Sequence, residues 1–550
     1  MVVRSVPRNV RLVAARSGLR RLLAAWGLGV GVEWAVLVLL SVACYERGGA
    51  AAVGIMGVAR VVPGALVTPV TSALLDRYPR ARVLCLAVLA SAVLIALTPA
   101  ALEAATLLPL YVLVAGWSAV WSVFRPAVNG LVPQVVEQPE ELAAANSLYS
   151  FLEAAGTLLG PLAAAALLGA LPEWAGYEIL AAVAVLPAVL VAGVRTHTRP
   201  AARPPASLLR RLLEPLLGFP ALAATVPTRA LLVVFGAQCV MRGLLNVFVV
   251  AAAVTVLGVG EAGTGPLFAA LGVGGLLGAA AAMPLAGSGR LAAPFVGGMV
   301  LWGLPIVVMA LWPRPAVAWS ALAVIGIGNA IVDVTGFTIF HRLIPDHLLG
   351  RAFGALWGSA AAGVAVGSLA AAPLIEGLGL RPAMTVTGAG MAVLPLLLWP
   401  LLRRVDTEVA VDEDRIALLR RLPLFASLSR LSLEQLARRA TPVAVDAGEA
   451  VVQQGEEGDR FYAIEAGELV ARVDGVEVAS MSAGDGFGEI ALLHRTRRTA
   501  TVVAATPAQL AAIDGGVFVA AVTSNVGAES VALALASERL TRGAPARDPG

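Results

Sequence analysis

The chain has 550 residues, of which 58% are hydrophobic and only 14% are charged. A soluble globular protein does not need so much apolar surface, so the composition predicts that most of the chain lies in lipid. The formal net charge of +4 is too small to indicate nucleic-acid binding, and Cys44, Cys85 and Cys239 fall in apolar runs, which excludes a disulfide framework.

Apolar residues are nearly continuous from Leu22 to Leu402, and an ordinary soluble composition follows them. A membrane-spanning helix needs about 20 apolar residues. On this scale the sequence predicts twelve spans, at about residues 22–44, 50–75, 82–101, 105–132, 142–170, 176–195, 229–257, 263–286, 292–312, 316–343, 352–378 and 382–402.

The positions of the arginines predict the orientation of these spans. Clusters of arginine precede the first span and follow the second, sixth and twelfth, whereas the alternate loops carry mainly glutamate. Positively charged loops stay in the cytoplasm. We therefore expect a multi-pass protein of the plasma membrane with both termini cytoplasmic.

The apolar region repeats itself at a distance of about six spans. Val132-Pro133 is echoed by Ile344-Pro345, and the Gly156-x-x-x-Gly160 pattern is echoed by Gly363-x-x-x-Gly367. Two halves of six helices, joined by a loop rich in proline and arginine, are typical of secondary transporters. The sequence thus predicts a basic N-terminus at 1–21, transporter halves at 22–195 and 226–402, a central loop at 196–225 and a linker at 403–412.

The segment after the second span reads S-A-L-L-D-R-Y-P-R-A-R. Asp76, Arg77 and Arg80 match the loop signature of the major facilitator superfamily, which the chain resembles from about residue 20 to 405; Ser72 and Ala81 depart from it. The resemblance implies that this loop braces the cytoplasmic gate as the two halves rock. The alternative is that the arginines only hold the loop inside the cell.

The fifth span contains Gly156, Gly160 and Pro161, which resemble the exporter motif of the same family. This resemblance implies efflux, although Ala163 and Ala164 stand where two glycines are expected. Glycines four residues apart are also ordinary in helix packing.

Ionisable side chains inside a span are costly to bury, which makes them candidates for a transport path. Six positions qualify: Glu33, Arg60, Arg125, Glu153, Arg242 and Asp333. In the family that the chain resembles, the first, fourth, seventh and tenth helices line the cavity. The candidate path is therefore Glu33, Arg125, Arg242 and Asp333. Alternatively, Arg125 and Glu153 lie near the cytoplasmic ends of their spans and reach towards water.

The polar region after Arg404 predicts a separate domain at 413–541, with a tail at 542–550. Residues 416–440 show helical spacing that is broken at Pro423, and short strands with glycine turns follow from Val443. Regular short strands of this kind predict a β-roll.

Within this domain the run Gly484–Ala504 places three glycines, Glu489, a short apolar turn and Arg498 before a strand. It resembles the phosphate-binding cassette of the cyclic-nucleotide-binding domain found in catabolite activators, protein kinase A regulatory subunits and cyclic-nucleotide-gated channels. The resemblance implies that Arg498 binds the cyclic phosphate and Glu489 the ribose 2′-hydroxyl. It also implies a pocket formed by Gly488, Glu489, Ile490, Ala491, Arg498 and Thr499. The alternative is a β-hairpin with a surface salt bridge between Glu489 and Arg498.

These features predict an all-α twelve-helix membrane transporter of two six-helix halves, followed by a small cytoplasmic β-roll domain with flanking helices. We expect secondary efflux of an unspecified small molecule. We also expect regulation by cAMP in preference to cGMP, although the hydroxyl group of Thr499 is compatible with cGMP as the ligand. The alternative is a membrane-anchored nucleotide sensor whose transporter scaffold moves no solute. We expect membrane lipid as a partner and no nucleic acid, no metal, no cofactor and no enzymatic activity, since the sequence shows no P-loop or catalytic triad.

Overall fold

In the computed structural model the chain divides into two compact units, Met1–Glu408 and Val409–Gly550. The structure describes residues 16–136, 139–194, 225–282, 284–285, 290–344, 346–409, 413–428, 430–494, 496–523, 531, 534, 535 and 537. The division falls inside the predicted linker, 403–412. The tail, most of the basic N-terminus and all of the predicted central loop except Thr225 lie outside the described residues.

The first unit is helical throughout its described residues. Its N-terminal half contains α1 (Ser17–Arg77), α2 (Arg80–Ala96), α3 (Thr98–Leu102), α4 (Leu108–Trp121), α5 (Phe124–Val135), α6 (Pro139–Ala170) and α7 (Glu173–Ala192). Its C-terminal half contains α8 (Val226–Thr255), α9 (Thr264–Ala282), α10 (Ala292–Leu311), α11 (Pro315–Leu343), α12 (Asp346–Leu378) and α13 (Leu380–Leu397). Two short helices, α14 (Trp399–Leu402) and α15 (Arg404–Val409), follow.

The helices reproduce the twelve predicted spans. Ten helical stretches of the described residues are long and apolar enough to cross a membrane, with α4 and α5 forming one of them. Helix α1 leaves helical geometry at Gly48 and Gly49, where φ of Gly49 is 61°, so it supplies two spans. Helix α2, with 17 residues, matches the third span. The predicted helical membrane fold is therefore confirmed.

Two predicted spans are interrupted, and proline explains both breaks. The third predicted span stops at Ala96 and resumes as α3, because Pro99 has no N–H to donate to the carbonyl of Ile95. The fourth is divided between α4 and α5, because Pro126 likewise cannot bond to Ser122.

The echoed glycines bring equivalent helices of the two halves into backbone contact. A Cβ atom at Gly160 would overlap the carbonyl oxygen of Gly31, so α6 packs directly on α1. A Cβ atom at Gly367 would overlap the carbonyl oxygen of Val240, so α12 packs directly on α8. Small residues permit this close approach between membrane helices. The repeated sequence pattern therefore corresponds to the same packing of the fifth span on the first and the eleventh on the seventh.

The second unit is a β-roll with flanking helices. Helix α16 (Glu413–Arg421), a 3-10 turn (Pro423–Phe425) and α17 (Arg430–Arg439) precede the strands. The strands are β1 (Thr441–Val445), β2 (Ala450–Val452), β3 (Arg460–Ala466), β4 (Leu469–Val473), β5 (Val476–Met481), β6 (Gly486–Phe487), β7 (Thr501–Ala504) and β8 (Ala508–Asp514). Helix α18 (Glu489–His494) lies between β6 and β7, and α19 (Gly515–Thr523) follows β8. The antiparallel sheets have the orders β1-β8-β3-β6 and β2-β7-β4-β5.

Strand β3 separates two hydrophobic cores because alternate side chains of a strand point to opposite faces. Tyr462 and Ile464 pack inside the roll, between the two sheets. Phe461 packs on the other face against the helices, with its ring stacked on Phe518 at 4.7 Å and edge-on to Phe425. The flanking helices are thus fixed to the sheet that holds the ligand-binding segment described below.

The close packing of α12 on α8 predicts that Gly367→Val destabilises the transporter unit. The added side chain must displace backbone of α8, and overpacking of this kind costs roughly 1–3 kcal/mol. Gly358→Val, in the same helix, is the matched control because a Cβ at Gly358 meets nothing within 4 Å. Thermal unfolding of the detergent-purified protein measures both. Equal melting temperatures for the two variants would contradict this packing.

Candidate functional site

The ligand-binding segment begins where β6 passes into α18. Phe487 fixes this point because its ring stacks on Tyr462 of β3 at 5.1 Å. Gly488 follows with φ of +97°, a backbone conformation that other residues rarely adopt. A Cβ here would also lie 2.7 Å from Nη1 of Arg498. Glycine at 488 therefore turns the chain into α18 and leaves room for the arginine.

Arg498 is held by backbone oxygen atoms from two directions. Its Nη2 donates to the carbonyl of Arg460 at 2.8 Å, and its Nη1 donates to the carbonyl of Gly488 at 3.3 Å. Its own backbone N–H donates to the carbonyl of Glu456 at 2.8 Å. These contacts join the arginine to the turn before β3 and to the start of α18, which fixes the guanidinium at the floor of the site.

The charge of Arg498 is taken out of water, since only 5% of the residue is exposed. Burial lowers the pKa of Arg498 from its ordinary value. The carboxylate of Asp459, 3.6 Å from Nη2, opposes this effect but is itself largely exposed. A guanidinium retains its charge even so, and it suits a phosphate bidentately. The site therefore favours an anion.

All six predicted pocket residues, 488–491, 498 and 499, line one cavity of about 350 Å³. The alternative of a surface salt bridge is wrong, because Glu489 is only 1% exposed and Arg498 only 5%. Helix α18 begins at Glu489, close to the predicted helix start. Thr499 and Ala500 precede the strand rather than belonging to it, since β7 begins at Thr501.

Sequence analysis did not identify the apolar wall of this cavity. Val452 of β2, Val473 of β4, Met481 of β5 and Val502 of β7 contribute to it. These residues lie on one sheet and line the same cavity as Arg498. An apolar wall of this kind can pack against a flat ring. No local sequence pattern identifies this wall, because it depends on the order of the strands in the sheet.

The transporter unit has a cavity of about 440 Å³ that is lined from both halves. Two of the four predicted path residues, Glu33 and Arg242, line it directly. Arg125 contacts Glu33 at 4.0 Å and also pairs with Glu153. Arg60, which the candidate path omitted, lines the cavity and lies 3.5 Å from Glu33.

Arg125 and Glu153 belong to one charged network with Glu33. Glu153 lies in the middle of α6, and Arg125 bridges it to Glu33 in the middle of the first span. A ring contact also holds Arg125, whose guanidinium lies 5.0 Å from the ring of Trp26.

Asn329 joins the charged residues of the C-terminal half. Its Oδ1 accepts from Nη2 of Arg242 at 2.6 Å and from Gln238 at 3.3 Å. Its amide donates to Asp333 at 2.9 Å. Asp333 thus reaches the cavity through Asn329. Asn329 was not predicted because only charged residues were considered as candidates for the transport path. Its amide is nevertheless a polar group inside an apolar span, and this signal could have identified it.

The three predicted gate residues lie at the junction of α1 and α2. Arg80 ties the start of α2 to α5, because its Nη1 donates to the carbonyl of Gly130 at 2.7 Å. Arg77 is exposed and lies 5.7 Å from the ring of Tyr78, and Asp76 is half-buried. Arg80 therefore braces this loop within the N-terminal half.

The helices and their shared cavity define a multi-pass membrane protein of the transporter class, joined to a ligand-binding β-roll. A family model described as Major Facilitator Superfamily matches residues 22–367, more than half of the chain. The chain belongs to this family. A second family model, described as Cyclic nucleotide-binding domain, matches residues 442–525. Neither family is enzymatic, and the second binds cyclic nucleotides as regulatory ligands.

Curated relatives match over part of the chain. The cAMP-dependent protein kinase regulatory subunit of Schizosaccharomyces pombe is 38% identical over 120 residues, which cover 21% of this chain and 29% of the relative. An uncharacterized protein of Mycobacterium tuberculosis is 33% identical over 145 residues, which cover 25% of this chain and 29% of the relative. This chain thus spans less than a third of the length of these relatives.

Solved structures also match over part of the chain. The structure of cAMP-bound PfPKA-R is 23% identical with a TM-score of 0.23, covering 26% of this chain and 51% of that one. The sensor domain of the transcriptional regulator DNR from Pseudomonas aeruginosa is 27% identical with a TM-score of 0.21, covering 23% of this chain and 92% of that one.

The contacts of Arg498 predict that Arg498→Gln weakens cAMP binding at least tenfold, since a hydrogen bond to a charged group contributes roughly 1.5–3 kcal/mol. Arg498→Glu should abolish binding because it adds a repelling charge. Arg497→Gln is the matched control, because Arg497 is exposed and bonds to the carbonyl of Gly455. Isothermal titration of full-length protein measures all three. Undiminished affinity in folded Arg498→Glu would contradict the assignment.

Proposed function

We propose that this protein is a secondary active exporter of a small molecule in the plasma membrane, and that cyclic nucleotide bound to its β-roll regulates it. The observation that carries the transport function is the cavity lined by both halves, with ionisable side chains from each. In an apolar protein such groups are costly, which favours a role in passing a solute. The observation that carries regulation is the buried Arg498 in the second cavity.

The charged cavity also argues against the alternative of a sensor without transport. Glu33, Arg60 and Arg242 line a space large enough for a small organic molecule. A scaffold that only anchored a sensor would gain stability if apolar side chains replaced these groups. The charged lining therefore supports solute passage.

Efflux and orientation rest on the sequence. The Gly156-x-x-x-Gly160-Pro161 pattern supports export, and the arginine-rich loops support cytoplasmic termini. In this orientation the β-roll meets nucleotides made in the cytoplasm, while Asp76, Arg77 and Arg80 lie at the cytoplasmic gate.

Reconstituted full-length protein in vesicles tests the proposal. A panel of small organic solutes is loaded inside or outside, with cAMP supplied on the side of the β-roll. Directional flux that responds to cAMP supports the proposal. Cyclic-nucleotide binding without flux of any solute would favour the sensor.

In the β-roll we propose that Arg498 binds the cyclic phosphate and Glu489 the ribose 2′-hydroxyl, with the amides of Ile490 and Ala491 completing the cradle beside Gly488. The buried guanidinium supports the first role, because a phosphate supplies paired oxygen atoms. The burial of Glu489 beside the same cavity supports the second. Thr499 adds a hydroxyl group at the rim.

We propose cAMP as the preferred ligand, and Thr499 supplies a test. A hydroxyl group here can bond to the phosphate or to the amino group of guanine, so Thr499→Ala should weaken cGMP binding more than cAMP binding. Titration of both nucleotides into wild-type and variant protein measures the two losses. Equal losses of affinity for the two nucleotides would show that Thr499 does not discriminate between them. Tighter binding of cGMP than of cAMP to the wild type would contradict the proposed preference for cAMP.

Asp406 offers a route by which the β-roll influences the transporter. Its Oδ1 accepts hydrogen bonds from the backbone N–H groups of Leu291, at 2.8 Å, and Ala292, at 2.9 Å. Helix α10 begins at Ala292, and the leucine before it has no side chain able to cap the helix. Asp406 therefore caps α10 and complements its positive end. The second unit begins only three residues further on, at Val409.

Because Asp406 caps α10, we expect that Asp406→Ala makes hydrogen exchange at the start of α10 independent of nucleotide binding. Loss of a capping side chain costs about 0.5–2 kcal/mol, which is comparable to the usual coupling between sites. Amide hydrogen exchange at residues 291–295, with and without cAMP, measures the effect. We expect a cAMP-dependent difference in wild type, a smaller one in Asp406→Asn, which keeps an acceptor, and none in Asp406→Ala. An equal difference in all three would contradict this route.

A further inference from the structure

The charged side chains around the transporter cavity form direct ion pairs in the N-terminal half only. In the N-terminal half, Glu33 lies 3.5 Å from Arg60 and 4.0 Å from Arg125, and Arg125 also pairs with Glu153. Two arginines there meet two glutamates. This half therefore pairs its own charges without a ligand.

Arg242, in the C-terminal half, differs from these arginines. Among the described residues no carboxylate lies within 4.0 Å of its guanidinium, and its side-chain hydrogen bond is to the neutral amide of Asn329, at 2.6 Å. Asp333 bonds to the other end of that amide and does not line the cavity. Asn329 thus holds the guanidinium at the cavity and keeps the carboxylate behind it.

A guanidinium in this position favours an anionic ligand. It has five N–H donors, and one of them is used by Asn329. Burial of a charge is costly unless its donors meet acceptors, and Asp333 reaches this guanidinium only through Asn329. A carboxylate meets a guanidinium with two parallel hydrogen bonds, which satisfies both groups in a dry site.

The rest of the cavity wall favours a flat apolar body attached to this anion. The guanidinium of Arg242 lies 5.7 Å from the ring of Trp302, which also lines the cavity. Trp34, Trp117, Trp121 and Phe268 contribute further aromatic rings from both halves. Aromatic side chains pack well against other rings. The cavity, about 440 Å³, is within the range of small-molecule sites.

We propose that the transported solute is an aromatic organic anion whose carboxylate binds Arg242 and whose ring packs among the cavity tryptophans. This inference rests on the proposed transport function and adds the class of substrate. Glu33 does not make the cavity a cation site, because Arg60 and Arg125 already neutralise it. Asn246, which also lines the cavity, adds an amide donor near the carboxylate end.

Three matched probes test this assignment: naphthalene carboxylate, the corresponding neutral amide and the corresponding aminomethyl cation. Isothermal titration of full-length protein in detergent should show that the carboxylate binds at least about tenfold more tightly than either analogue, a difference of ~1.4 kcal/mol. Arg242→Gln should remove this preference. Arg242→Lys, which keeps the charge but not the fork of donors, should retain a weaker preference.

Arg229→Gln is the control variant because Arg229 is exposed at the start of the same helix and does not line the cavity. Its carboxylate affinity should equal that of wild type. Three results would each overturn the proposal. They are tighter binding of the amide or the cation than of the carboxylate, undiminished carboxylate binding in folded Arg242→Gln, and no binding of the carboxylate at millimolar concentration. Titration of cAMP into the same samples measures ligand binding by the β-roll independently. Flux of a neutral or cationic solute would contradict the proposed substrate class and still support the proposed transport function.

Discussion

A guanidinium that is taken out of water must be met by oxygen atoms, and this constraint shapes both units of the protein. In the β-roll, Arg498 is held by two backbone carbonyls and lies beside a cavity with an apolar wall. In the transporter, Arg242 is held by one amide oxygen beside a cavity with an aromatic wall. In each case the protein supplies the position of the charge, and we propose that an anionic ligand completes its partners.

Close packing of small residues holds the helices of each transporter half together. Gly156 and Gly160 bring α6 onto α1, and Gly363 and Gly367 bring α12 onto α8. These contacts lie within each half, and glycines also pack between the halves, at Gly54 on Ser368 and at Gly265 on Pro161. The arginine and glutamate network around Glu33 also lies within one half. Rocking of one half against the other then changes the cavity without breaking the contacts within either half.

Local patterns in the sequence predicted the spans and the nucleotide pocket because both depend on neighbouring residues. The run from Gly488 to Thr499 contains the turn, the helix start and the arginine, and all its predicted pocket residues line one cavity. The search for charge in apolar helices found Glu33 and Arg242 for the same reason. It placed Arg125 rather than Arg60 on the path, yet Arg60 lines the cavity, because lining depends on how helices rotate against each other.

Contacts between distant segments account for what the sequence did not reveal. Asp406 appeared to belong to a polar linker, yet it caps a helix that begins 114 residues earlier in the chain. Asn329 carries no charge, and its importance follows only from the three side chains that meet at its amide. The apolar wall of the nucleotide cavity required the strand order β2-β7-β4-β5, which no local pattern specifies.

The central claim is that one ligand in the β-roll and another in the transporter cavity influence each other through the same chain. By thermodynamic linkage, each ligand must change the affinity for the other by the same factor. The direct measurement is the affinity of full-length protein for cAMP, determined with and without a saturating transported solute. The account predicts a change of about 5–150-fold, the usual range for coupled sites. An unchanged cAMP affinity would show that the β-roll does not regulate transport.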